Sequence, residues 1–202
     1  VSKEKVSPIN EFLWAFIGLL LTVFGTFVEA FLVFPTGKGE APLLTSHSLG
    51  VTYQLAGVLL TGCLGGKNAA ALAQIAYLVL GLFKLPVFGQ GGGFNYLQQP
   101  SFGYILGFIP GAWLCGLLAF QGKRRLESLA FSAACGLIII HLCGIIYLIA
   151  LTYISPFFGN TFAPEYLPRA ISIYSFNPFP SQLVIVCVVA VVAFIIRLIL
   201  FY

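Results

Sequence analysis

"LGLFKLPVFGQGGGFNY", residues 80–96, is an apolar run that breaks into glycine. Up to Phe88 the stretch suits lipid. Then Gly91, Gly92 and Gly93 follow one another, flanked by Gln90, Phe94 and Asn95. Consecutive glycines favour backbone freedom over a lipid-facing side chain. The loop around them, 85–102, is also too long for a simple turn, and loops of that length in compact folds usually have a task. The stretch therefore reads as a span that ends in a functional loop.

Composition extends this reading to the whole chain. Of 202 residues, 59% are hydrophobic and 8% are charged, with a mean hydropathy of +1.01. A soluble domain carries about 25% charged residues, so this chain reads as an integral membrane protein. Its apolar runs approach the roughly 20 residues that a helical span needs. The short alternating segments of an outer-membrane barrel are not found. The prediction is an all-α membrane protein, one domain over 1–202, with six transmembrane helices at about 11–34, 49–65, 68–84, 103–121, 127–153 and 179–201. The second span is short and carries Thr52, Gln54 and Thr61, so protein should shield it. The first run is too long for a signal h-region and lacks an A-x-A exit, so no cleavable signal peptide is expected.

Three long loops, 35–48, 85–102 and 154–178, fall on one side of such a topology. "GGKN" at 65–68 and "QGKRRLE" at 121–127 fall on the other. With the N-terminus inside, Lys3, Lys5, Lys67, Lys123, Arg124, Arg125 and Arg197 are inner, and Lys38, Lys84 and Arg169 are outer. That bias obeys the positive-inside rule. Both termini are expected in the cytoplasm, in a plasma or energy-converting membrane. The net charge of +4 follows from topology and implies no nucleic acid.

Enzyme motifs fail. "TGCLGGKN", 61–68, has Thr61 and Asn68 where a phosphate loop needs Gly and Ser or Thr. The glycine loop has Phe94 where a dinucleotide fingerprint needs its third glycine. The histidines, His47 and His141, are far apart, H-E-x-x-H and G-x-S-x-G are absent, and all six acidic residues are Glu. Cys63, Cys115, Cys135, Cys143 and Cys187 lie in apolar runs without metal-binding spacing and read as small hydrophobes. No enzyme, metal or cofactor is predicted.

Two ionisable residues fall inside predicted spans, where charge is costly. Glu29 is either an interfacial carboxylate or a functional one. His141, near the middle of the fifth span, is either a neutral imidazole bonded to a neighbouring helix or part of a site. In the first span Gly18, Thr22, Thr26 and Ala30 recur every four residues, with Ala15 and Gly25 close to the same face. Such a row serves either internal packing or the docking of a separate membrane subunit. In the glycine loop, Phe94 and Tyr96 offer flat apolar faces, and Asn95, Gln98 and Gln99 offer hydrogen bonds. That mixture suits a small-molecule site.

"TYQLAGVLLTGCLGG", "AALAQIAYLVLGLFKLPVFGQGGG" and "QPSFGYILGFIPGAWLCGLLA", in that order from about 49 to 121, resemble the BioY family. That family supplies the biotin-binding S component of energy-coupling factor transporters. The resemblance implies an S-component-like bundle in which Gly91, Gly92, Gly93 and Phe94 cap a pocket open to the outside. Asn95 and Tyr104 would be its polar contacts, and Gln54 and Gln74 would line or brace it. The row Ala15, Gly18, Thr22, Thr26, Ala30 resembles the A-x-x-x-A surface by which S components dock on a scaffold subunit. That subunit, with two cytoplasmic ATPases, would supply energy.

The last span departs from the pattern. The family's P-x-x-x-P-G-D-x-x-K, whose Asp and Lys contact ligand, corresponds here to "NPFPSQLVIVCVV", 177–189. Gln182 stands at the Asp position and Ile185 at the Lys position. Gln182 still suits a ureido group. Ile185 cannot neutralise a carboxylate, which is disfavoured when buried unpaired. Three readings stay open. One is a biotin importer subunit with a rearranged carboxylate site that uses Arg169. The others are an S component for a different small ligand and a structural or accessory subunit of a larger membrane complex.

Overall fold

Helix α1, Pro8–Phe27, buries its small residues and exposes its large ones. Ala15, Gly18, Thr22, Gly25 and Thr26 face the protein, whereas Phe12, Phe16, Leu20 and Phe24 face outward. In water each such phenylalanine would forgo about 1.5–3 kcal/mol of burial, and a lipid surround removes that loss. The computed structural model describes residues 8–35, 44–83, 85–121, 125–154 and 164–200. Lys3, Lys5, Lys38, Lys84, Lys123, Arg124 and most of "PTGKGEAP" lie outside the described residues.

The predicted span 11–34 is too long. The helix stops at Phe27, and Glu29–Pro35 forms strand β1, paired antiparallel with β2, Leu44–Thr52. An apolar run does not by itself separate helix from strand, and this one is rich in aromatic and branched residues that suit a pleat. Glu29 is therefore not a helical carboxylate in the membrane. Ser48 donates its hydroxyl to it across the hairpin. The register shifts between Glu29 and Phe31, and Gly50 takes a positive φ of 64° on the opposite strand.

Helix α2, Gln54–Leu82, contains most of the second and third predicted spans, but the start of the second, 49–52, belongs to strand β2. Gly66 interrupts it with φ 79° and ψ 178°, a conformation almost confined to glycine. The amide of Gln54 nevertheless donates to Tyr77 Oη at 2.8 Å. In a straight helix residues this far apart would be separated by roughly 35 Å. The chain therefore reverses at Gly66, and the two arms of α2 run antiparallel. The first arm, 54–65, is about 18 Å long at 1.5 Å per residue. Five helices among the described residues, not six, are long and apolar enough to cross a membrane: α1, α2, α3 (Phe102–Gln121), α4 (Leu126–Ile154) and the segment ending in α6 (Phe179–Ile199).

Contacts between helices are close because glycine replaces side chains at the crossings. A Cβ on Gly18 would lie 2.3 Å from Thr61, and one on Gly57 would lie 2.7 Å from the Leu21 carbonyl carbon. Gln74 donates to Thr22 Oγ1 at 3.0 Å inside the same α1–α2 contact. Ala30 is also buried, on β1. All five residues of the predicted docking row are thus covered by this chain, and that burial fits internal packing. The core continues through Val58, Leu59, Tyr77, Ala112, Leu137 and Val189. Cys63 and Cys115 pack in it with sulfurs 3.6 Å apart, whereas Cys187 is exposed. Among the described residues no group of three or more His, Cys, Asp or Glu is placed to hold a metal.

Candidate functional site

Four polar side chains from four elements meet at one end of the bundle. Tyr104 comes from the first turn of α3, His141 from the middle of α4, and Gln182 from the first turn of α6. Ser175 comes from the π turn Ser172–Phe176. That turn follows the short helix α5, Leu167–Ile171, and leads into α6. Gly144 makes the meeting possible, since a Cβ there would lie 2.4 Å from the Tyr104 ring.

The bonds form a chain with one direction. His141 Nε2 lies 2.6 Å from Gln182 Oε1. An amide oxygen only accepts, so Nε2 carries the proton. The ring is 6% exposed, and its partners are a hydroxyl and an amide. Without an acid beside it, a buried imidazole stays neutral. Nδ1 is then an acceptor, and Ser175 Oγ donates to it at 3.1 Å. Ser175 Oγ in turn accepts from Tyr104 Oη at 2.6 Å. The amide nitrogen of Gln182 is left over, with no hydrogen bond to the protein among the described residues. The relay thus holds a pair of N–H donors in a fixed direction. Phe179 stacks edge-on against the imidazole, with ring centres 5.3 Å apart.

A cleft of about 350 Å³ lies beside this relay, lined by Pro100, Tyr166, Arg169, Ala170, Ile173 and Tyr174. Tyr174 joins the two, its ring centre 6.1 Å from that of Tyr104. The volume falls at the lower end of the range for small-molecule sites, roughly 300–1,000 Å³.

The family model described as the BioY family matches residues 3–200. The chain belongs to the BioY family. It is 32% identical over 196 residues to an uncharacterized 21.2 kDa protein of Cyanophora paradoxa, covering 93% of this chain and 95% of that one. It is 39% identical over 98 residues to the biotin transporter BioY of Thermotoga maritima, covering 48% of this chain and 57% of that one. A probable biotin transporter BioY of Lysinibacillus sphaericus matches at 39%, covering 48% of this chain and 50% of that one. The chain thus spans the Cyanophora protein almost fully and only about half of these two transporters. Its fold resembles the S-component for biotin from an ECF-type ABC transporter, with a TM-score of 0.68 and 18% identity over 98% of this chain and 94% of that one.

Within this BioY chain the predicted ligand residues separate into two groups. Tyr104 and Gln182 are brought together, through Ser175 and His141. Gln54 and Gln74 sit instead in the α1–α2 contact. Gln54 holds Tyr77, whose hydroxyl donates to the Val87 carbonyl at 2.9 Å, so it braces the glycine loop. Gln74 is 1% exposed and bonded to Thr22. Gly92 and Gly93 pack tightly against the end of α2 and the chain just beyond it, whereas Gly91 faces open space. Gly93 donates to the Gly81 carbonyl at 2.7 Å, and a Cβ on Gly92 would lie 2.2 Å from the Leu85 oxygen. Gly91 has φ 114° and closes a turn with Phe88. Phe88 and Tyr96 pin the loop through ring contacts 4.7 Å apart. Phe94, 64% exposed, and Asn95, also exposed, share no hydrogen bond or ring contact with the relay. The loop reaches the cleft through Pro100.

Sequence reasoning flagged His141 as an intramembrane ionisable group without choosing its role. It missed Ser175 and Tyr174, which have no motif around them. Ile185 is 3% exposed in the core, one turn beyond Gln182.

Proposed function

We propose that this chain is the substrate-binding membrane subunit of a biotin importer, energised by a separate scaffold subunit and ATPases. Family membership supports the class, and the names of its relatives support the ligand. The observation that carries the site is the Gln182 amide, held by His141 so that its N–H donors remain available. Biotin's ureido carbonyl is a strong acceptor that suits those donors. Tyr104 and Phe179 supply aromatic faces for the fused rings. The glycine loop, braced by Gln54 and Tyr77, forms the lid side of the mouth, with Asn95 and Phe94 as residues that meet ligand on closure. Six crossings follow if each arm of α2 spans separately, with both termini in the cytoplasm as the positive-inside bias favours.

The test is titration of the detergent-purified chain with biotin. Saturable binding that weakens in Gln182→Leu supports the reading. Absence of binding by the natural chain overturns it.

A further inference from the structure

A biotin-like ligand brings a carboxylate as well as a ring system, and the position that the family resemblance assigns to a lysine is the buried Ile185. The chain must either leave that carboxylate in water or meet it with another cation. The described basic residues are Lys67, Arg125, Arg169 and Arg197. Three of them lie at the wrong end. Helix α3 runs from Tyr104, in the relay, to Ala119, about 22 Å away at 1.5 Å per residue. Arg197 donates to the Ala119 carbonyl at 2.9 Å and stacks on Phe120. The Lys67 backbone lies against Gly116, where a Cβ would be 2.5 Å from its nitrogen. Arg125 immediately precedes α4 at that same end. Only Arg169, among the described residues, stands at the relay end.

Arg169 is also suitably exposed. It is in the last turn of α5 and lines the cleft with Tyr166 and Tyr174. Its guanidinium makes no ion pair among the described residues, and Glu165, four residues earlier, does not bind it. A guanidinium presents a planar fork that matches a carboxylate in bidentate fashion. Two ring-to-ring steps lead from the relay to the cleft: His141 to Tyr104 at 5.7 Å and Tyr104 to Tyr174 at 6.1 Å.

We propose that Arg169 binds the carboxylate of the ligand in this cleft, so that the acidic tail is held at the mouth while the head group sits at Gln182. The proposal rests on the biotin-binding reading for the ligand's identity. It assigns the charge recognition of this chain to the segment before α6 rather than to α6 itself.

The experiment compares biotin with biotin methyl ester on the natural chain, Arg169→Gln and Arg169→Lys, by calorimetric titration in detergent. The natural chain should prefer acid to ester by at least about tenfold, the loss expected for one charge-assisted pair. Arg169→Gln should bring the acid-to-ester ratio close to one, and Arg169→Lys should retain part of the preference. An unchanged acid-to-ester ratio in Arg169→Gln overturns the role of Arg169 alone. Failure of the natural chain to bind either compound overturns the biotin reading and this assignment with it.

Discussion

His141 and Gln182 face each other across α4 and α6, with imidazole Nε2 2.6 Å from the amide oxygen. That contact fixes the ring tautomer and aims the amide nitrogen. Gln182→Leu removes the free donors and leaves a buried Nε2–H without its acceptor. Ligand affinity should fall by up to about tenfold, as expected for one neutral hydrogen bond. Gln182→Glu tests the direction of the bond instead. A carboxylate still accepts from Nε2 but can meet only the ureido N–H groups and not the ureido carbonyl, so affinity should fall below that of the natural chain. Titration of both variants decides the point, and binding by Glu as tight as by the natural chain would mean that the amide donors are not used.

Ser175→Ala breaks the relay one step back. His141 Nδ1 and Tyr104 Oη both lose a partner. A buried polar group left unmade costs about 1–3 kcal/mol. Thermal unfolding in detergent should therefore show a lower Tm than for the natural chain. Ser175→Thr keeps the hydroxyl and should retain most of the Tm.

Gly144→Ala should displace the Tyr104 ring, which a new Cβ would approach to 2.4 Å. Overpacking of this kind typically costs about 1–3 kcal/mol. Both Tm and biotin affinity should drop. Adding Tyr104→Ala to Gly144→Ala should recover part of the lost stability, because the two positions share one space. A double variant as unstable as the sum of the singles would contradict that account.

Gly66→Ala should be far more harmful than its small size suggests. An alanine at φ 79° and ψ 178° costs about 1–3 kcal/mol in backbone strain. The expected signs are lower yield of folded protein and loss of the monodisperse peak on size exclusion. Gly65→Ser, which meets Trp14 rather than a backbone constraint, is a useful comparison.

Orientation is tested by cysteine labelling on a background in which the five natural cysteines are replaced. Asn95 and Asn68 are both exposed, on the glycine loop and at the reversal of α2. Asn95→Cys should react with a membrane-impermeant maleimide from outside intact cells. Asn68→Cys should react only after the inner face is opened. Labelling of both from one side would remove the six-crossing topology.

The membrane class and most helices were legible from apolar content, and α3, α4 and α6 fall close to their predicted spans. The β hairpin was not, because Glu29–Pro35 continues the apolar run of α1 and hydropathy does not register the change of backbone. The α2 reversal was visible as the turn "GGKN", although its arms form one element through Gly66. At the site, Tyr104 and Gln182 came from motif position. Ser175 joins them only because a π turn places it there, and no local pattern announces such a turn. Gln54 and Gln74 lie on the matched motifs, which imply that they line or brace the pocket, and in the structure they bond to Tyr77 and Thr22.

The reversal at Gly66 also bears on how the chain sits in a bilayer. The first arm of α2 is short, and Gln54 and Thr61 lower its affinity for hydrocarbon. Lipid alone would hold it poorly. The second arm supplies the missing apolar length, and Tyr77 supplies the hydrogen bond for Gln54. The two arms paired through the Gln54–Tyr77 bond are therefore better suited to hydrocarbon as a helical pin than the first arm is alone. One glycine thus sets where that pin turns, at the end of α3 opposite Tyr104.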